Sequence, residues 1–408
     1  MQLTTKAGAS AGTRATDATA ASEGAQARAE GYERPPVSST HALGEEHNGT
    51  AGRLNKKTVR RVLLGLLALL LVFSTVSMVF AMRFYDGYFA RYDAPKYSGY
   101  LQYRDVAKEY PRTAVKFKSG QNTLTGYLYG AGNRKGLVVI APGRREGTET
   151  FLPETVYFVD QGWRVFSFDY TGSFESEGAN MVGLPQPLTD LRAALAYIAS
   201  SATLKDLPIM LYGHSWGGYA VAAMLSYDHD IAAVASIAGF NSPMGLLAEY
   251  TKGQMGLLGH IVYPFAWVYQ AVRFGSKAWV SAVDGINSTD TPVMIIHGTA
   301  DEENPYNGPS IIAQRGNITN PNVVYKTCSE ANRNGHSSLY ESAATVAYIN
   351  KLNQEYQALS DRYNGNIPDS VRAQCYAGVN RFKTSERDTA FMNEINRFFE
   401  RSLGGSGG

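Results

Sequence analysis

Cysteine is scarce in this 408-residue chain, with Cys328 and Cys375 its whole complement. So few exclude a disulfide-stapled mini-fold and any cysteine-rich metal centre. Excess charge is missing too: 38 Lys and Arg stand against 36 Asp and Glu, a formal net of +2. Without a basic stripe there is no electrostatic footprint for a nucleic-acid partner. No metal-ligand spacing and no phosphate-cradling glycine loop occurs, so neither a metal nor a cofactor is expected. No internal repeat is present. Large apolar residues are nearly missing from residues 1–53, which are rich in Ala, Gly, Thr, Ser and Glu. Such a segment cannot bury enough surface to offset its ordering entropy, and it reads as a disordered tail. Residues 404–408, all Gly and Ser, read as a second flexible tail.

Directly after the first tail the composition reverses. Residues 62–82 run without a charge from Val62 to Met82, a length of 21 residues. A helix of that length crosses a hydrocarbon core of ~30 Å, and no polar stripe marks it as a buried soluble helix. Lys56, Lys57, Arg60 and Arg61 precede the run, and mixed charges come after it. The positive-inside bias therefore predicts a single-pass protein, with a cytoplasmic tail and an exported main domain. A signal peptide cleaved after Val79-Phe80-Ala81 is the rival reading, opposed by the long leading segment and the long apolar run. Either way the main domain is exported. Residues 84–113 are dense in aromatics, including Phe84, Tyr85, Tyr88, Phe89 and Tyr92. They suit an interfacial belt beside a span; a neck whose rings pack on the following domain is the equal alternative.

From residue 114 to 403 short apolar runs alternate with helical patterns. The predicted strands are 114–118, 123–129, 136–141, 164–170, 208–212, 232–238, 292–297 and 322–327. Helices are expected near 150–161, 187–200 and 216–227. Several runs are continuously apolar, as in parallel strands buried on both faces. The alternation predicts an α/β fold with a mostly parallel sheet. Residues 240–288 are too long and too apolar for a loop. Residues 350–385 form a more polar insertion, and Phe391–Leu403 reads as an amphipathic closing helix.

Chemistry concentrates at Gly213-His214-Ser215-Trp216-Gly217, between an apolar strand and a small-residue helix. A serine on such a turn is held in a strained backbone with its hydroxyl exposed, and flanking glycines remove clashing side chains. A serine hydroxyl needs an adjacent base, itself held by a third group. Of seven histidines, His41 and His47 lie in the tail, and His214 points away from the neighbouring hydroxyl in such a turn. His229 and His260 have no supporting pattern, and His297 ends a strand. His336, in the polar loop after the last strand, remains. Asp301, a few residues past the strand ending at His297, is the acid at the same sheet edge. Glu302, Glu303 and Asp290 are the competing carboxylates. Ser, Asp, His is the chain order of the α/β-hydrolase triad.

Residues 110–403 resemble the α/β-hydrolase superfamily, in its serine-hydrolase branch of esterases, acylglycerol lipases and serine aminopeptidase-like proteins. The carrying motifs are Gly213 to Gly218, His297-Gly298-Thr299-Ala300-Asp301 with Pro305, Gly335-His336, Ile140 to Arg144, and Asp169-Tyr170-Thr171-Gly172 with Ser176 and Gly178. The resemblance implies an α/β-hydrolase fold, with the 240–288 stretch as a helical cap. It also implies an oxyanion hole formed by the N–H groups of Trp216 and Arg144. The loop usually reads His-Gly where this chain has Pro142-Gly143, so Trp216 is the firmer donor.

The expected activity is hydrolysis of a carboxylic or lipid acyl ester through Ser215, His336 and Asp301. A small-molecule or lipid ester is then the partner, and no protein partner is indicated. A serine aminopeptidase is one alternative, needing a cap carboxylate such as Glu249; a non-catalytic binding module is another. Arg144 and Arg145 are either a contact for an anionic substrate group or a solvated pair. An exported domain also permits a Cys328–Cys375 disulfide, with two separate thiols as the other reading.

Overall fold

The computed structural model describes residues 55–404 except residue 228; residues 1–54 and 405–408, which hold both expected tails apart from Gly404, lie outside the described residues. The chain divides at residue 74 into an N-terminal unit and the unit carrying the sheet. Helix α1, Lys56–Tyr88, contains the whole apolar run. It is rich in Leu and Ala, good helix formers, and among the described residues it is the one helix long and apolar enough to cross a membrane.

Eight strands form one sheet: β1 Arg112–Ser119, β2 Asn122–Tyr129, β3 Leu137–Ala141, β4 Arg164–Phe168, β5 Ile209–His214, β6 Ala233–Ile237, β7 Val293–Gly298 and β8 Val323–Cys328. Their order is β1-β2-β4-β3-β5-β6-β7-β8. β1 and β2 form an antiparallel hairpin, β2 pairs antiparallel with β4, and all further pairs are parallel. Every residue of β3 and β6 is buried, which is why these segments read as unbroken apolar runs rather than alternating ones.

The helices after α1 are α2 Tyr103–Val106, α3 Leu152–Asp160, α4 Gln186–Ser200, α5 Trp216–Ala223, α6 Pro243–Met255, α7 Leu257–Phe274, α8 Ala282–Asn287, α9 Ala343–Arg362, α10 Asp369–Ala377, α11 Arg381–Ser385 and α12 Thr389–Gly404. Two apolar clusters result. One joins Val139, Phe166 and Leu211 with α4 and α5; the other joins Val138, Ile140 and Tyr212 with α3 and α12. Neighbouring residues of one strand thus feed opposite clusters, as the pleat requires. The stretch between β6 and β7 is helical, α6 to α8. Ser242 caps α6 by accepting a hydrogen bond from Gly245 N, and Gly256 at φ 53° turns the chain into α7.

The aromatics beyond the apolar run pack inward. Tyr85 and Phe89 are almost fully buried. Tyr85 Oη donates to Gln270 Oε1 of α7 at 2.8 Å and accepts from Leu184 N at 3.1 Å. Phe89 lies 5.9 Å from the Trp216 ring. These rings therefore act as a neck packed on the sheet-bearing unit.

Candidate active site

β5 runs straight into the serine turn. Ser215 sits at φ 56°, ψ −113°, between the strand and the first residue of α5. That is the left-handed half of the map, where a side chain costs roughly 1–3 kcal/mol. Two backbone bonds hold it: Ser215 N donates to Ile237 O of β6 at 2.8 Å, and Tyr219 N donates to Ser215 O at 3.1 Å. The flanking glycines are sterically required. A Cβ on Gly213 would overlap the Gly217 carbonyl, and one on Gly217 would overlap the Ala141 carbonyl of β3.

The loops after β7 and β8 bring the partners. His336 Nε2 lies 2.8 Å from Ser215 Oγ, and His336 Nδ1 lies 2.9 Å from both carboxylate oxygens of Asp301. Asp301 also accepts from Glu303 N and from Asn304 N, and its Oδ2 lies 3.0 Å from His297 Nε2, which lies 2.8 Å from the Asn304 carbonyl oxygen. His297 is thus buried against the acid, its Nε2 placed between Asn304 O and Asp301. Burial alone would push Asp301 up, but the His336 charge and the hydrogen bonds from His297 and His336 outweigh it, holding the carboxyl well below the usual range. Burial likewise pulls His336 down, and the Asp301 charge and hydrogen bond more than reverse this, so the imidazole is raised. The competing carboxylates take other places. Glu302 accepts from His336 N at 3.2 Å, while Glu303 Oε2 stands 3.9 Å from His336 Nε2.

A second buried network has no counterpart in the sequence motifs. Glu146 Oε2 accepts from Gly143 N at 2.9 Å and meets His214 Nδ1 at 3.1 Å. His214 Nε2 in turn lies 3.0 Å from the His336 carbonyl oxygen. Both ring nitrogens of His214 therefore face acceptors, a carboxylate and a carbonyl. Burial raises Glu146, but the His214 charge and hydrogen bond prevail and lower it. This chain of bonds ties the loop after β3, the serine turn and the His336 loop together. Glu146 lies 68 residues from His214, and only the turn preference of Pro142-Gly143 hints that its side chain folds back.

That loop also carries Arg144, one of the two expected oxyanion donors. Glu146 N donates to Gly143 O at 3.2 Å, closing a tight turn with Arg145 at φ 62°. A Cβ on Gly143 would lie 3.3 Å from Ser215 Cβ, so the turn backs directly onto the serine. The Trp216 N–H opens α5 and has no intrahelical acceptor, while its indole Nε1 donates to Leu184 O at 2.8 Å. The two cysteines are both free, which corrects the disulfide expectation. Cys328 ends β8 against one face of the sheet, whereas Cys375 packs beside Ile349 and Val379 of a separate small cluster.

The neck aromatics reach the residue after the serine, Phe89 lying 5.9 Å from the Trp216 ring. Phe84, Tyr85, Tyr88 and Phe89 line a narrow apolar crevice of about 20 Å³ with Leu247 and Tyr250 of α6. Glu249 of α6 is exposed. A roomier cavity of about 330 Å³ lies on the far side of the loop after β3, bordered by Arg145, Thr148 and Asp169, and contains none of Ser215, Asp301 or His336. Asp169 there is raised to about 6 by burial, against hydrogen bonds such as that from Thr148 N.

A mostly parallel sheet with this strand order, a strained serine at the end of β5 and a histidine–aspartate pair at the ends of β8 and β7 make up an α/β-hydrolase fold. Residues 132–265 match the family model described as serine aminopeptidase, S33. Over 152 residues the chain is 28% identical to the quorum-quenching protein AidA of Acinetobacter baumannii, covering 35% of this chain and 50% of that one. It is 26% identical over 137 residues to the polyketide transferase grgF of a Penicillium species, covering 33% of this chain and 47% of that protein. The chain thus spans about half the length of these curated relatives. Among solved structures, an esterase of Pyrococcus furiosus superposes with a TM-score of 0.46 at 18% identity, covering 66% of this chain and 95% of that one.

Proposed function

We propose that the protein is a membrane-anchored serine hydrolase that cleaves a carboxylic or lipid acyl ester. The observation that carries this reading is the 2.8 Å contact between Ser215 Oγ and His336 Nε2, with His336 braced on Asp301. Ser215 Oγ attacks the ester carbonyl carbon while His336 Nε2 takes its proton. The Trp216 and Arg144 N–H groups stabilise the resulting oxyanion, a contribution of roughly 3–4 kcal/mol per donor. The tetrahedral intermediate collapses, the C–O bond breaks, and His336 returns the proton to the leaving alkoxide. Water then repeats the sequence on the acyl-serine and releases the acid. Asp301 keeps Nδ1 protonated and stabilises the imidazolium.

The apolar run of α1 serves as an uncleaved anchor. Its basic flank before Val62 assigns the tail to the cytoplasm and the sheet-bearing unit to the outside. Protection of the tail from protease added outside intact cells checks this, and digestion from outside refutes it. Turnover of p-nitrophenyl esters of rising acyl length tests the chemistry, with Ser215→Ala lowering kcat by roughly 10⁴-fold or more. The serine aminopeptidase model over residues 132–265 supports a second reading as a peptidase. Glu249 is exposed, so Glu303 would be the carboxylate to meet a substrate ammonium. Turnover of aminoacyl amides, with none of esters, would select that reading.

A further inference from the structure

Arg144 carries a guanidinium nitrogen, Nη1, that is buried and has no hydrogen-bond partner. The residue comes directly after Gly143 in the turn that backs onto Ser215. Its Cζ lies 4.0 Å from the centroid of the Tyr88 ring, and that ring meets Tyr250 of α6 edge-on at 5.5 Å. The planar group is thereby stacked on Tyr88, whose ring is in turn braced by Tyr250. An aromatic face attracts the positive charge but gives its N–H groups no lone pair. Glu303 is close enough to feel this charge, yet no Arg144–Glu303 ion pair forms among the described residues. Glu303 faces His336 Nε2 instead, at 3.9 Å. The catalytic histidine thus has an unpaired guanidinium in its surroundings as well as a carboxylate beside it. Arg144 and Glu303 are both half-buried, and a buried N–H donor without an acceptor, such as Nη1, is costly to leave unmet.

We propose that Arg144 anchors an anionic group of the substrate, a carboxylate or a phosphate; this deepens the serine-hydrolase reading and rests on it. A guanidinium presents parallel N–H donors that match either group. Glu303 repels the same group, so the anion is directed to the Arg144 side of the site. The apolar crevice lined by Tyr88, Leu247 and Tyr250 lies on the other side of the ring that Arg144 meets and is too small to take a substrate group. The substrate class is therefore an ester that carries an anionic group.

Matched ester pairs test this in the full-length protein. p-Nitrophenyl hemiglutarate against p-nitrophenyl pentanoate places a carboxylate in the acyl half. Butyryl glycerol 3-phosphate against monobutyrin places a phosphate in the alcohol half. For one pair, the anionic-to-neutral ratio of kcat/KM is expected to fall roughly ten- to one-hundredfold in Arg144→Gln. It is expected to recover in part in Arg144→Lys and to rise in Glu303→Gln. The pair that responds identifies which half of the substrate bears the charge. A ratio unmoved by Arg144→Gln in both pairs, or one lowered equally by Arg144→Gln and Glu303→Gln, overturns the proposal while fluorophosphonate labelling of Ser215 persists. Loss of that labelling in the wild type overturns the serine-hydrolase reading and the proposal together.

Discussion

Glu146→Gln is the sharpest perturbation of the network beneath the site. The carboxylate accepts from Gly143 N and His214 Nδ1, and both side chains of the pair are almost completely buried. Removing one partner of a buried pair costs roughly 3–5 kcal/mol, because the remaining charge or donor is left without compensation. Glutamine keeps the volume and can accept one of the two N–H groups, so the expected loss is about 3 kcal/mol. For a domain of this size that corresponds to a Tm lower by roughly 5–10 °C. The same change loosens the turn that backs onto Ser215, and a displacement of ~1 Å there is expected to lower kcat by roughly one hundredfold.

Acidification removes the same interaction reversibly. Glu146 is depressed below its ordinary value of 4.5 by the His214 charge and hydrogen bond, against burial. Its contribution is therefore complete above that value and is lost as pH falls through the folded-state value. The stability difference between wild type and Glu146→Gln should be constant near neutrality and shrink below the ordinary 4.5. Thermal unfolding of the full chain in detergent, followed across pH and paired with ester turnover, reads both effects. Equal Tm and equal kcat in the two proteins would exclude this role for the Glu146–His214 pair.

His336 is raised above its ordinary 6.5, with burial opposing and the Asp301 charge dominating; the acid limb of kcat/KM should lie above that value, and in Asp301→Asn kcat should fall by roughly 10⁴-fold. A limb below the ordinary 6.5 in the wild type would contradict that coupling. Gly217→Ala drives a Cβ into the Ala141 carbonyl; a loss of roughly 1–3 kcal/mol and a sharp fall in activity are expected, checked by denaturant unfolding and ester turnover.

The central strands β3, β5, β6 and β7 are legible in the sequence because their apolar runs are buried on both faces, and the serine turn because its glycines answer a steric demand. β4 is shorter than its pattern, stopping at Phe168. The Asp169 side chain continues the apolar strand into a loop by accepting from Thr148 N. The helices α9 to α11 fall within or beside the polar insertion without a helical signal of their own, since α10 buries no residue and α9 only three. A helix with so narrow a buried stripe leaves almost no periodic signal. Within the site, Ser215, Asp301 and His336 follow from strand ends and chain order. Glu146 and Tyr88 do not, because each reaches the site by a fold-back or a long-range packing contact. Tyr88 stands among the neck aromatics, with nothing in its spacing to aim it at Arg144.

Reaction with a fluorophosphonate probe, followed by peptide mapping, reports on Ser215 as the nucleophile activated by His336. A single adduct is expected, on the peptide containing Ser215, lost in Ser215→Ala and strongly slowed when His336 is replaced by alanine. Labelling that persists at full rate in Ser215→Ala, or an adduct mapped to another residue, would show that a different group carries the reaction.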